Sequence, residues 1–290
     1  MLNTTFGPRL FLLFLIFGIS LLAWSAQAET SQAELEALLR RVAQNQKRNR
    51  LLEMSYLYEM TSRRMKLDAT GAVRETELVT YEVIPLKSGD YRRVIGRDGQ
   101  PLSAEEARKE QSKLERSLKK EAQLSESERL RQEKKWQERR RKEEQTWEEV
   151  VKAFTAKLVT HRQDGETRVT VVDLLPRSDY IPPNRDLRIL KKVKGRVWID
   201  NVHEEVTRAE MEFVEDVTFG AGILGKLNQG GTLSVQLSRI NDEVWLPRQV
   251  EIAADGRILF KGFRIRILND FANYRKFETS VQLGTASLNP

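Results

Sequence analysis

Hydrophobic and polar positions along the chain follow two periods, and the switch between them divides the sequence. Leu35, Leu38, Leu39 and Val42 recur at i, i+3, i+4 and i+7. That spacing predicts one apolar face of a helix. The helix starts from the capping-box pattern Ser31-Gln32-Ala33-Glu34 and ends near Arg48 to Arg50, where basic residues suit its C-terminal dipole. The period then becomes two. Met54, Tyr56, Tyr58 and Met60 alternate with Ser55, Leu57 and Glu59. The turn residues Asp68-Ala69-Thr70-Gly71 lead into a strand from about Val73 to Ile84, and Ser88-Gly89-Asp90 lead into another from Tyr91 to Arg97. The pattern is an antiparallel meander.

The middle of the chain breaks this pattern. From Ser103 to Thr146, 25 of 44 residues are charged, 14 basic and 11 acidic, with no glycine or proline among them. Pro101 precedes the stretch, Ser103 to Glu106 caps it, and a second capping box at Ser125 to Glu128 divides it into two helices near Leu124. Glu105/Lys109, Glu115/Lys119 and Glu138/Lys142 are favourable i,i+4 pairs. Apolar residues are sparse, so a protruding charged helical insertion is expected over about 102–147. Either it is solvated on all sides or it docks a partner. Val150, Val151 and Phe154 mark a short helix returning to the body.

From Leu158 the strand pattern resumes. Arg168 to Leu174 and Gly195 to Asp200 read as strands on either side of a Pro176–Pro183 loop around Tyr180. Ala209, Met211 and Phe213 then alternate with charged neighbours, as do Leu233, Val235 and Leu237, then Val250, Ile252 and Ala254, then Phe263, Ile265 and Ile267. Asp255-Gly256 reads as a two-residue hairpin turn, and Tyr274 to Ser280 as a closing strand. Clean alternation means one apolar and one solvated sheet face, hence antiparallel pairing. About ten strands predict a large curved sheet or partial barrel. The expected fold class is therefore mainly β (α+β): a strongly curved antiparallel sheet, or unclosed β-barrel, with covering helices and the long charged insertion.

Composition adds three constraints. Residues 1–28 carry Arg9, the apolar run Leu10 to Trp24 and the small-x-small site Ala26-Gln27-Ala28. This is the layout of a secretory signal peptide cleaved after Ala28, and it predicts a periplasmic or secreted protein. A single domain over 29–283 and a loose tail over 284–290 follow. Cysteine is absent, which excludes disulfides and thiol metal sites. The net charge is +7, from 49 basic and 42 acidic residues, or +6 once Arg9 leaves (48 − 42). Export argues against nucleic acid as the partner of that charge.

Candidate chemistry is thin. Gly220-Ala221-Gly222-Ile223-Leu224-Gly225 matches G-x-G-x-x-G. However, Gly230-Gly231 follows too soon for the helix that a dinucleotide site requires. The two histidines, His161 and His203, have polar neighbours, and His203-Glu204-Glu205 reads as a solvated turn. No catalytic constellation, metal set or cofactor is expected. Trp198, Trp245, Phe260, Phe263, Phe271, Tyr274 and Phe277 supply core packing to the C-terminal strands. A curved sheet with few covering helices also leaves an apolar concavity, the default place for a ligand.

The stretch Gly195-Arg196-Val197-Trp198-Ile199-Asp200, then Arg208-Ala209-Glu210 and the long strands through Phe263, resembles the outer-membrane lipoprotein-sorting superfamily (LolA/LolB-like). Arg97 to Ser103 and Trp245-Leu246-Pro247 are similar to a bacterial subgroup of it. The resemblance spans roughly Glu29 to Ser280. It implies a non-enzymatic binding protein that holds a lipid or lipoprotein acyl chain between sheet and helices, with lipoprotein or lipid transport to the outer membrane as its role. The lining expected for the chain is Tyr56, Tyr58, Met211, Phe213, Ile223, Leu224, Leu233, Val235, Leu237, Val250, Ile252, Phe263 and Ile265. The charged insertion departs from the simple carrier pattern. It leaves open an envelope sensor or scaffold that binds a partner protein through residues 103–146, with peripheral membrane contact as a further mode.

Overall fold

The computed structural model describes residues 32–86, 89–164, 167–219 and 224–276. The expected signal peptide, the cap at Ser31, Ile223, Phe277 and the tail lie outside these residues. Helix α1 covers 32–53 and runs past the expected stop at Arg50. β1 (Tyr56–Leu67) follows after a turn, so Met54 belongs to the turn and not to the strand. β2 (Val73–Leu86), β3 (Gly89–Arg97) and β4 (Gln100–Pro101) complete the first meander.

The charged stretch forms α2 (Ala104–Ala122) and α3 (Glu126–Ala153). Both capping boxes are present: the Ser103 and Ser125 side chains each accept from the backbone N–H three residues on, and Glu106 and Glu128 reach back. α3 absorbs the return helix expected at Val150 and hands directly to β5 (Phe154–Asp164). β6 (Thr167–Pro176), a 3-10 turn over Asp186–Lys192, β7 (Val193–Asp200), β8 (Glu205–Phe213), β9 (Val217–Phe219), β10 (Gly225–Leu227), β11 (Thr232–Ile240), β12 (Val244–Ile258) and β13 (Lys261–Lys276) follow.

All of these strands belong to one antiparallel, 13-stranded sheet in the order β4-β3-β2-β1-β13-β12-β11-β8-β7-β6-β5, with β9 and β10 attached to the end of β12. The path is open, with β4 at one edge and β5 at the other. The mainly β, unclosed architecture expected from the alternation is therefore present.

One turn is misplaced in the sequence reading. Asp255-Gly256 is not a hairpin; β12 runs through it to Ile258, and the chain reverses at Leu259, whose φ is +52°. Gly256 pairs with Leu227 of β10 and Phe263 of β13. A Cβ there would collide with the Lys226 carbonyl. The glycine serves a close strand approach, which in sequence looks the same as a turn glycine.

α1 lies on one face of the sheet. Leu35 and Val42 are buried against Ala156, Val172 and Ile199, with Leu38, Leu39, Leu174, Val197 and Val206 packed around them. At its far end Leu52 joins a second buried cluster of Tyr56, Val244 and Leu246. Polar contacts fix the helix between the two clusters. Arg41 pairs with Glu204 at 2.9 Å, and the Asn45 amide donates to the carbonyls of His203 and Glu204.

α2 and α3 carry the chain from edge strand β4 to edge strand β5. Gln132, in the first half of α3, sits beside Leu86, Asp90 and Tyr91 of the β2–β3 hairpin, and the last residue of that helix leads into edge strand β5. At 1.5 Å per residue, its 28 residues span about 42 Å. Lys47 of α1 pairs with Glu148 of α3 at 2.8 Å. The Tyr180 hydroxyl, from the proline-flanked loop, donates to the buried Glu149 at 2.9 Å.

Candidate functional site

The cross-strand register gathers most of the expected lining residues on one face. Gly195, Met211, Leu233, Ile252 and Ile267 stand opposite one another in a single row across β7, β8, β11, β12 and β13. The next row is Val197, Ala209, Val235, Val250 and Asn269. Ala254 and Ile265 pair in the row beyond, and Phe263 follows opposite Gly256 on the same side. Phe213, two residues beyond Met211, faces Val193. Val197 packs with the α1 cluster, so this is the face that α1 occupies.

The opposite face is charged along β7–β12, with a buried apolar cluster of Val169, Val171 and Trp198 at its β6–β7 end. Asp173, Arg196, Glu210, Ser234 and Glu251 line up there, with Arg196–Asp173 at 2.6 Å and Arg266–Glu251 at 3.4 Å. The sheet is thus amphipathic, as alternation demands.

α1 does not cover the apolar face uniformly. Its two buried clusters lie at the β5–β8 side and at Tyr56–Val244–Leu246. Leu233, Val235, Val250, Ile252, Phe263 and Ile265 belong to neither and are half-buried, and Met211 is 37% exposed. Polar side chains enter the field at its β1 side, where Arg64 stands opposite Ile267 and Ser62 opposite Asn269. Asn269, opposite Val250, has a buried carboxamide oxygen without a hydrogen-bond partner among the described residues.

Tyr56 and Tyr58 sit apart from those rows, past a register shift in β1. They line a cleft of about 340 Å³ between the end of α1, the β2–β3 hairpin and α3. Leu51, Met54, Leu86, Trp136 and Trp147 give it apolar walls, and Lys47, Arg50, Arg140, Glu53, Asp90 and Glu144 add charge. The Arg140 guanidinium lies 4.8 Å from the Trp136 ring centroid.

The cleft and the rows meet at an aromatic junction. The Tyr58 ring is 5.8 Å from Phe271 and 5.2 Å from Tyr274. Phe271 follows Ile267 and Asn269 along β13, opposite Met60. Burial pushes the Tyr58 phenol up to about 12 and raises Tyr274 as well, so both rings present neutral, apolar bodies. The rows therefore lead along β13, past Asn269, to the aromatic residues that border Tyr58 of the cleft.

Other expected lining residues fall elsewhere. Leu237 lies beyond the register shift that sets it opposite Pro247. Leu224 is 60% exposed immediately before β10, and Ile223 is outside the described residues. Gly225, the third glycine of the nucleotide-like motif, opens a strand and not a helix. Sequence reasoning missed Trp136 and Trp147. They sit in a helix whose charge density reads as solvent-facing, although their spacing, with Arg140 between, marks one face.

The His203-Glu204-Glu205 turn also differs from the expected solvated one. The Glu205 side chain is 2% exposed and accepts from the Gln46 amide at 2.9 Å. Its carboxyl is pushed up to about 7 by burial, against the opposing pull of Asn49, Arg48, Gln46 and His203. His203 Nδ1 lies 2.9 Å from Asp200, and Trp245 stacks edge-on to the imidazole. α1 folds over this turn, and the polar spacing of Gln46, Asn45 and Arg41 on the helix is the signal that could have shown it. Among the described residues, no group of three or more His, Asp or Glu could hold a metal ion, and no helix is long and apolar enough to cross a membrane.

No family model matches the chain, and no curated protein matches it. Among solved structures, it is similar to a protein domain assigned to outer membrane lipoprotein sorting from Vibrio parahaemolyticus. The identity is 9%, with 84% of this chain and 95% of that one covered and a TM-score of 0.31. It is similar also to a DUF1329 family protein from Desulfovibrio piger, at 10% identity, 85% and 95% coverage and a TM-score of 0.32. A third is MucB in complex with MucA(peri), at 11% identity, 83% and 98% coverage and a TM-score of 0.22. The first carries the name of the superfamily that the Gly195–Asp200 stretch resembles. At identities and TM-scores of this size, the likeness carries no weight for function.

Proposed function

We propose that the protein is an exported binding protein that holds an acyl chain of a lipid or lipoprotein along the α1 face of its open sheet. One observation carries this reading. The half-buried rows Met211–Leu233–Ile252 and Val235–Val250, which α1 leaves uncovered, continue through Phe271 and Tyr58 into the cleft. An acyl tail lies on the rows, and the polar end of the lipid sits at the cleft among Lys47, Arg50 and Arg140.

Binding is driven by burial, at about 0.8 kcal/mol per methylene removed from water. Eight buried methylenes supply roughly 6 kcal/mol, which corresponds to a dissociation constant of tens of micromolar before ordering costs, so a longer buried tail is needed for tight binding.

The test is a pair of variants on the rows. Ile252→Asp and Val235→Asp place a charge where the tail lies, and both are expected to abolish binding of a fluorescent fatty acid while circular dichroism stays unchanged. Retained binding in both sinks this site.

A further inference from the structure

We propose that the tip of the β12–β13 hairpin inserts end-on into an anionic membrane surface. The docking stands on the tip's own geometry and not on the acyl-binding reading.

Apolar side chains from three segments meet at this end of the sheet, and all are exposed: Phe219, Leu224, Ile258, Leu259 and Phe260, the last at 98%. Gly225 of β10 stands opposite both Phe219 and Ile258, and the Leu259 N–H donates to the Leu224 carbonyl at 3.0 Å, so these residues form one patch. The hairpin also projects. β11 pairs with β12 no further than Ala253, and β1 pairs with β13 no further than Ile265. Beyond them, among the described residues, only the short β10 flanks the hairpin. At about 3.3 Å per residue, Phe260 stands roughly 16 Å past the last β1 pair. Between Gly256 and Ile265 the chain carries Arg257, Lys261 and Arg264 and no acidic residue. Cross-strand pairing puts Lys261 with Ile258 and Phe263 on the apolar face, and Arg257 and Arg264 on the other. Cations therefore ring the hairpin on both faces, set back from an apolar end.

Holding such a patch in water is costly, which argues against solvent as its occupant. A second copy meeting it tip to tip would bring two rings of cations together. An acidic protein could pair with the ring, but it would also need a deep pocket, because the projecting end offers neither a flat nor a concave face. A bilayer supplies both layers in the right order: anionic phosphates at the level of the ring, and hydrocarbon beneath it for Leu259 and Phe260. The apolar face runs on from Ile258 through Phe263 and Ile265 to Ile267. A docked tip thus sets the half-buried rows next to a source of lipid, a consequence that does rest on the acyl-binding reading.

The chain contains no cysteine, so Phe260→Cys can carry a single nitrobenzoxadiazole label. The protein, purified from a bacterial envelope, is mixed with vesicles of phosphatidylglycerol and phosphatidylethanolamine or of phosphatidylcholine alone. The label should brighten and shift to the blue on the anionic vesicles, and the unlabelled wild type should co-sediment with them more strongly than with phosphatidylcholine. Taking a Leu or Phe side chain out of water is worth about ten- to a hundredfold. Leu259→Ser combined with Phe260→Ser should therefore weaken co-sedimentation by about a hundredfold or more, with circular dichroism and fatty-acid binding unchanged. Lys261→Gln should cost about fivefold on anionic vesicles and nothing on phosphatidylcholine. No vesicle binding by the wild type, full binding by the double serine variant, or unchanged emission from the label on sedimented protein overturns the proposal. A wild-type dimer in light scattering that the double serine variant splits into monomers overturns it in favour of a second copy. Ile252→Asp should lose fatty-acid binding and keep vesicle binding, so the two readings fail separately.

Discussion

Glu205 is the residue at which local chemistry departs furthest from its surroundings in sequence. A carboxylate between Glu204 and Val206 in a turn reads as solvated, yet α1 closes over it and the side chain is 2% exposed. Its ordinary value of 4.5 is raised to about 7. Between those values the folded chain holds a proton that the unfolded chain has released. Stability from this group therefore falls as pH rises from about 4.5 to about 7 and is flat above. Glu205→Gln, which keeps the neutral shape, should flatten that part of the profile in urea titrations at stepped pH. A variant that keeps the wild-type slope contradicts the assignment. Packing residues behave more simply. Ile199 is fully buried beneath α1, and Ile199→Ala should cost about 2–5 kcal/mol in the same titrations, against a surface-like loss below about 0.5 kcal/mol if the cluster were loose.

At the scale of elements, what was legible in the sequence was whatever repeats. The alternation of Met211, Leu233, Val235, Val250, Ile252 and Ile265 with charged neighbours marks a two-faced sheet, and the register then places these residues on one face. The capping boxes at Ser103 and Ser125 mark where α2 and α3 begin. What was not legible is what depends on a distant partner. Gly256 looks like a turn glycine until Lys226 is brought against it, and Trp136 and Trp147 look solvated until the end of α1 and the β2–β3 hairpin form a cleft with them. Gly256→Val is expected to displace β10 while leaving the sheet intact. Hydrogen exchange should then speed up in 217–219 and 225–227 alone, and unchanged protection there refutes the packing role. In α3, Glu149→Ala would strand the buried Tyr180 hydroxyl, a loss of about 1–3 kcal/mol by urea titration. A loss near zero would mean the loop is not held by this bond.

For the whole molecule, the open sheet and its two covers define the account. α1 buries one part of the apolar face, α2 and α3 carry the chain from edge strand β4 to edge strand β5, and the half-buried β8–β13 rows and the cleft lie on either side of the Tyr58–Phe271–Tyr274 aromatic junction. Exposing apolar area of this kind is costly, and that cost is the ground of the binding proposal. The most direct measurement is native mass spectrometry of the protein purified from a bacterial envelope in mild detergent, alongside Ile252→Asp prepared in the same way. The account predicts a lipid-mass adduct on the wild type that organic extraction removes and that the variant lacks. A wild-type spectrum with no adduct, and none after addition of lipid, contradicts it.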